Sequence, residues 1–102
     1  MNTDYRVTND YGDSGMTCLQ GYITSDYNTL CEVFGDPIIG SGDGKITASW
    51  IIKFNDGQVA TIYDYKMNET PKGSYDWHIG GNIREVVKRV EKIMEDYAVR
   101  EA

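Results

Sequence analysis

The sequence predicts an α+β fold, an antiparallel sheet of about four strands with two helices packed on it. Three observations lead there. Asn55-Asp56-Gly57 is a hairpin turn set between two apolar, β-rich runs. A helical period of three and four runs through Ile83, Val86, Val87, Val90, Ile93, Met94 and Tyr97. A second, shorter helical pattern, Tyr27, Leu30, Val33 and Phe34, precedes Gly35.

Taken in order, residues 1–15 are polar and Gly-bearing without a sustained period, so an irregular arm is expected, tied down by Tyr5, Val7 and Tyr11. Met16 to Ile23 reads as a first short strand. Its apolar residues Cys18, Leu19, Tyr22 and Ile23 do not alternate cleanly, which suits cover on both faces or a bulge at Gly21. Thr24 or Ser25 is placed to cap a helix over Asp26 to Phe34, and Gly35 offers the left-handed stop before Asp36-Pro37. Gly40 to Gly44 is a loop by composition. In the next strand, Ile46 to Phe54, Trp50, Ile52 and Phe54 share one face and Ser49, Ile51 and Lys53 the other. Gln58 to Tyr65 returns from the hairpin, and residues 66–75 form an exposed loop. Asp76 to Ile79 reads as a last short strand ended by Gly80-Gly81, and Asn82 with Glu85 resembles a capping box opening the long helix.

At 102 residues the chain is expected to be one domain spanning 1–102. Sixteen acids against ten bases give a net charge of −6, which argues against binding DNA or RNA through counterion release. The charge is lopsided. Residues 1–44 carry Asp4, Asp10, Asp13, Asp26, Glu32, Asp36 and Asp43 against Arg6 alone, whereas the rest of the chain balances. Cys18 and Cys31 form no metal-type pair, and the start MNTDYRVTND lacks the charged and apolar regions of a secretion signal. No apolar run of about 18 residues suggests a membrane span. A cytoplasmic protein with reduced thiols and no cofactor is expected.

The single histidine, His78, stands in Trp77-His78-Ile79-Gly80-Gly81-Asn82, directly before the long helix. Free backbone N–H groups at a helix start, reached past two glycines, would make a phosphate seat with His78 at its rim. The plainer reading is a tight strand-to-helix turn with Trp77 plugging the core. Eight tyrosines are a second unusual feature. Tyr11, Gln20, Tyr65 and Trp77 have the chemistry of a nucleotide pocket, with Lys45, Lys66, Lys72 and Arg84 as local cations, against the alternative of a thin sheet exposed on one face. No G-x-S-x-G elbow, EF-hand loop or phosphate loop is present, and Asp13, Asp43, Asp56, Asp64 and Asp76 mostly occupy turn contexts. The acidic first half also fits a small mimic of nucleic acid, or simply a solvated surface.

The series Leu19-Gln20-Gly21-Tyr22-Ile23, Phe34-Gly35-Asp36-Pro37, Gly42-Asp43-Gly44-Lys45 with Trp50, Asp56 to Tyr65 (DGQVATIYDY) and Trp77-His78-Ile79-Gly80-Gly81 resembles a widespread family of small tailed-phage proteins over roughly residues 15–82. That family in turn resembles the phage sponge proteins that sequester cyclic dinucleotide signals of CBASS defence, such as cyclic GMP-AMP, without cleaving them. The resemblance implies a homo-oligomer in the host cytoplasm, with no catalytic residues and no metal. On the matching motifs it implies ligand contacts from Gln20, Trp77, His78 and Gly80, then Thr17 and Tyr65. Tyr11, Ser14 and Lys45 are added on chemical grounds. Cys18 stands where that pattern has a small hydroxyl residue, so no role is carried over to it.

The expected function is therefore capture of a cyclic dinucleotide, with Trp77 and a tyrosine stacking bases, Gln20 and Thr17 reading polar edges, and His78, a lysine and the Gly80–Asn82 backbone meeting phosphates. The alternatives are an acidic protein-binding inhibitor of a host defence nuclease, of anti-CRISPR or anti-restriction type, and a small phosphodiesterase using His78.

Overall fold

The computed structural model describes residues 5–9, 17–40 and 44–101. Its elements run β1 (Tyr5–Thr8), β2 (Cys18–Ser25), α1 (Tyr27–Phe34), β3 (Ile38–Ile39), β4 (Ala48–Phe54), β5 (Val59–Tyr63), β6 (Tyr75–Gly81) and α2 (Glu85–Glu101). All pairings are antiparallel and form one sheet of order β1-β4-β5-β6-β2. The two-residue β3 shares an edge of β4 with β1, opposite Ala48 and Ser49, while β1 lies opposite Ile51 to Phe54.

The α+β class is as the sequence predicts, but the sheet has six strands rather than about four. Both additional strands, β1 and β3, are short edge pieces. The expected irregular arm is therefore a strand at Tyr5–Thr8, and Tyr5 packs edge-on to Phe34, ring centroids 6.3 Å apart. Val7, the second proposed tie, is exposed and held by strand pairing opposite Ile52, and Tyr11, the third, lies outside the described residues.

Alternation along β4, β5 and β6 gives the sheet two unlike faces. Trp50, Ile52, Phe54, Ala60, Ile62, Trp77 and Ile79 join Leu30 and Phe34 of α1 and Val86 and Val90 of α2 in one buried core. Both helices therefore cover the same face. The two tryptophans meet edge-to-face at 5.5 Å, and their N–H groups brace both ends of α1: Trp77 Nε1 donates to Ser25 O at 3.2 Å and Trp50 Nε1 to Gly35 O at 2.8 Å. Gly35 ends α1 as expected, at φ 86°, its N–H donating to Cys31 O. Asp26 holds the N-cap position, in place of Thr24 or Ser25, and makes no side-chain cap bond.

The hairpin forms as predicted, with Gly57 at φ 95° and its N–H donating to Phe54 O. Arg89 of α2 clamps it. Its guanidinium donates to Asp56 at 2.9 and 3.1 Å and to Gln58 Oε1 at 2.9 Å while lying 3.9 Å over the Phe54 ring.

The Gly80-Gly81 pair is not the turn into α2. Both glycines are strand residues of β6, facing Leu19 and Cys18 of β2. A Cβ on Gly81 would stand 2.3 Å from Val86 Cγ2 and 3.0 Å from Val59 O, so the glycine lets α2 pack close to the sheet. Asn82 does not form a capping box either, since its Oδ1 accepts the Val59 N–H at 3.2 Å. β2 carries a register shift between Leu19 and Gly21, so the extra residue is Gln20 and the expected bulge sits one position earlier.

Candidate functional site

Two neighbouring rows of side chains lie at the centre of the sheet face turned away from the helices. Register places Ser49, Tyr63, His78 and Tyr22 in one row across β4, β5, β6 and β2, and Ile51, Thr61, Gly80 and Leu19 in the next. The second row is interrupted at Gly80, where a Cβ would come 2.5 Å from Thr61 Oγ1 and 3.4 Å from both Tyr63 Cε1 and Cys18 O. The absent side chain leaves a recess of about 270 Å³, lined by Ser49, Ile51, Thr61, Tyr63 and Gly80 of the sheet and by the flanking Thr17, Cys18, Ile46 and Tyr65.

No described lining residue carries a charge. The chemistry is that of phenol rings, aliphatic contacts and hydroxyls. Ser49, 6% exposed, keeps its Oγ without a hydrogen-bond partner among the described residues. A buried hydroxyl left so forfeits about 1–3 kcal/mol, which a ligand donor or acceptor would recover.

His78 sits at the border of this recess inside a box of phenols. Tyr63 stacks on it at 5.3 Å, and Tyr22 and Tyr65 approach at 4.9 and 5.7 Å. Burial holds the imidazole pKa below its ordinary value, outweighing the opposite pull of the Asp64 charge. Burial also raises the Tyr63 phenol, with smaller contributions from Tyr22, Tyr65 and Cys18. Asp64 itself is fully buried and committed elsewhere. Its Oδ1 accepts from Thr47 N and Ala48 N at 2.8 and 3.2 Å, its Oδ2 from Thr47 Oγ1 at 2.5 Å, and that hydroxyl also meets Thr70 Oγ1 at 2.7 Å. This clasp joins the entry of β4 to the exit of β5 and to the 66–74 loop. Beside it, Lys66 N donates to Lys45 O at 2.7 Å, bringing two lysines together near Ile46 and Tyr65.

The proposed ligand residues divide accordingly. Thr17, Tyr65 and Gly80 line the recess, and His78 borders it through Tyr63 and Tyr65. Lys45 is exposed and joined to Lys66 through the backbone. Trp77 is not available to stack on a ligand at this recess: it is fully buried on the opposite face, as alternation from His78 requires. Gln20 is turned elsewhere, its Nε2 donating to Gly81 O at 3.0 Å. It lines a separate recess of about 640 Å³ with Arg84, Glu85, Val87, Lys88 and Glu91 of the α2 region. The phosphate seat expected at Gly80–Asn82 is not formed as drawn, because the glycines are strand residues and α2 begins later, at the acidic Glu85. Tyr11 and Ser14 lie outside the described residues.

Ser49, Ile51, Thr61 and Tyr63 were not singled out as ligand contacts by the sequence reading. The alternation that places Trp50 and Ile62 in the core places all four on the opposite face, and that period was the available signal.

Ser49, His78 and Asp64 are not joined as a nucleophile relay. Tyr63 stands between Ser49 and His78 in register, and both Asp64 oxygens are taken by the Thr47–Ala48 clasp. No three His, Cys, Asp or Glu side chains converge as metal ligands among the described residues, and none of their helices is long and apolar enough to cross a membrane. Comparison with family models, curated proteins and solved structures finds no match. The resemblance to the phage family rests on its motifs alone.

Proposed function

We propose that this protein binds a cyclic dinucleotide without cleaving it, holding one base in the recess between β4, β5 and β6. The observation that carries the reading is the recess lining: Tyr63 and Tyr65 rings, Thr61 and Thr17 hydroxyls, and the unsatisfied Ser49 Oγ, with no charge among the described residues. Planar rings with polar edges suit such a surface, since phenols stack on them and hydroxyls both donate and accept. Of the Trp77 and tyrosine pair expected to stack bases, only the tyrosine, Tyr65, is in place to do so. At about 270 Å³ the recess falls just under the roughly 300–1,000 Å³ of small-molecule pockets. It has room for one base, and the rest of a cyclic dinucleotide would extend outside it, where a second protomer would cover it. With the resemblance to sponge proteins, this supports capture of a host defence signal by a phage protein in the host cytoplasm.

Native mass spectrometry with a panel of cyclic di- and trinucleotides, followed by heat release, tests the proposal. The expected result is an intact nucleotide recovered after denaturation, with the stoichiometry reporting the oligomer. A chemically altered nucleotide would instead favour a phosphodiesterase. Absence of binding across the panel would favour the acidic protein-binding inhibitor, of whose seven acids Asp26, Glu32 and Asp36 lie among the described residues.

A further inference from the structure

We infer that Lys66 is the anion contact of this site: the base of a nucleotide enters the uncharged recess, and the phosphate it carries is met at the rim by the Lys66 ammonium. The inference rests on the base-binding reading above and adds the residue that recognises the charged part of the ligand. Three observations carry it.

The described lining offers a phosphate no charge partner, and an anion buried without one is strongly disfavoured, so the phosphate must stay at the mouth. His78 does not supply the charge, because burial favours its neutral form. Lys66 follows Tyr65, one of the lining residues, and its Nζ stands 5.4 Å from the centre of the Tyr65 ring, within reach of a cation–π contact. That contact places an ammonium beside the ring of a side chain that borders the recess. Among the described residues it makes no ion pair that would neutralise it.

The third observation is backbone strain. Lys66, at φ 58°, is the one non-glycine with positive φ among the described residues, pinned by its N–H bond of 2.7 Å to Lys45 O. Glycine adopts this conformation freely and a residue with a Cβ does not. A lysine held there gives up stability that glycine would restore, and such strain gathers where a side chain is needed for function. In the larger recesses that hold cations, Arg84 and Lys88 share theirs with Glu85 and Glu91, and Arg6 shares its own with Asp36, which makes both poorer anion sites.

The test separates a contact from a structural role by moving stability and binding in opposite directions. Wild type, Lys66→Gly and Lys66→Arg are compared by urea unfolding. Calorimetry then follows their binding of adenosine and guanosine, and of cyclic GMP-AMP, cyclic di-AMP and cyclic di-GMP. Lys66→Gly is expected to unfold at the same or a higher urea concentration, to bind the nucleosides as wild type does, and to bind the cyclic dinucleotides about tenfold more weakly, with a shallower salt dependence. Lys66→Arg is expected to keep wild-type affinity within about threefold. Unchanged cyclic dinucleotide affinity in Lys66→Gly overturns the assignment and leaves the base-binding reading standing. A loss of affinity that tracks a loss of stability also overturns it. If wild type binds neither nucleosides nor cyclic dinucleotides, the base-binding reading falls and the inference with it.

Discussion

Tyr63 and His78, paired directly across β5 and β6, stack with their planes 30° apart and so join the recess to the aromatic box beside it. The neutral imidazole suits this place. Protonating it would mean holding a cation among three phenols in a partly desolvated setting, and burial outweighs the attraction of Asp64.

A pH dependence of stability follows. With the His78 pKa lowered in the folded state, the unfolded chain binds more protons just below the ordinary histidine value of about 6.5. The stability this site contributes is therefore present above about pH 6.5 and is lost as pH falls from there through the lower folded value. Urea midpoints measured in steps from about pH 8 to pH 5 should fall less for His78→Gln than for wild type over that window. Parallel curves would show that His78 is not the group responsible.

The adjacent glycines of β6 should behave differently when given a methyl group. A Cβ at position 80 meets the end of one side chain, Thr61 Oγ1, whereas at position 81 it meets both Val86 and the backbone carbonyl of Val59. Gly80→Ala and Gly81→Ala should each cost about 1–3 kcal/mol. Adding Thr61→Ala should recover much of the first loss and none of the second, a non-additivity that a double-mutant cycle in urea measures directly.

Of the two aromatic residues expected to contact the ligand, Tyr65 borders the recess and Trp77 is buried in the core. Trp77→Ala removes a fully buried indole and its bond to Ser25 O, and should destabilise the fold by about 3–5 kcal/mol. Trp77→Phe, in a protein that remains folded, should leave nucleotide affinity unchanged. Tyr65→Ala should unfold close to wild type yet weaken nucleotide binding by about 1–3 kcal/mol, the usual worth of one base stack. Calorimetry on the two folded variants decides between the faces of the sheet.

Tyr97 of α2 donates a short hydrogen bond to Glu32 of α1, and this bond is the leading cause that pushes its pKa up to about 12. Among the described tyrosines, the last phenol to ionise in an alkaline absorbance titration should be this one, and Glu32→Gln should bring it back toward 10. Because the folded value is raised, the link is intact below about pH 10 and is lost as pH rises from there to about 12.

How far the fold was legible depended on whether an element's signal is local. The hairpin and α2 carry their own evidence, a turn with Gly57 at positive φ and a stripe running from Val86 to Val90 and on to Met94. β1 and β3 carry almost none. They are four and two residues long, and only pairing with β4 makes them strands. The site failed to be read for a related reason. Two successive glycines usually mark a turn, and here they mark close approach of Thr61 on one face and Val86 on the other. Once β6 is extended through Gly81, alternation alone separates Trp77 from His78, so the two residues first assigned to one pocket belong to opposite faces.

The pairing pattern sets the order in which the molecule can be assembled as it leaves the ribosome. Among the described residues β1 and β3 find their partner only in β4, and β2 only in β6. Among the described residues no strand before β4 pairs with another, so the edge formed by β1 and β3 can close once Phe54 is made, whereas the β2 edge closes only after synthesis has passed Gly81. The later meander β4-β5-β6 is thus the template on whose two sides the strands of the earlier half find their partners.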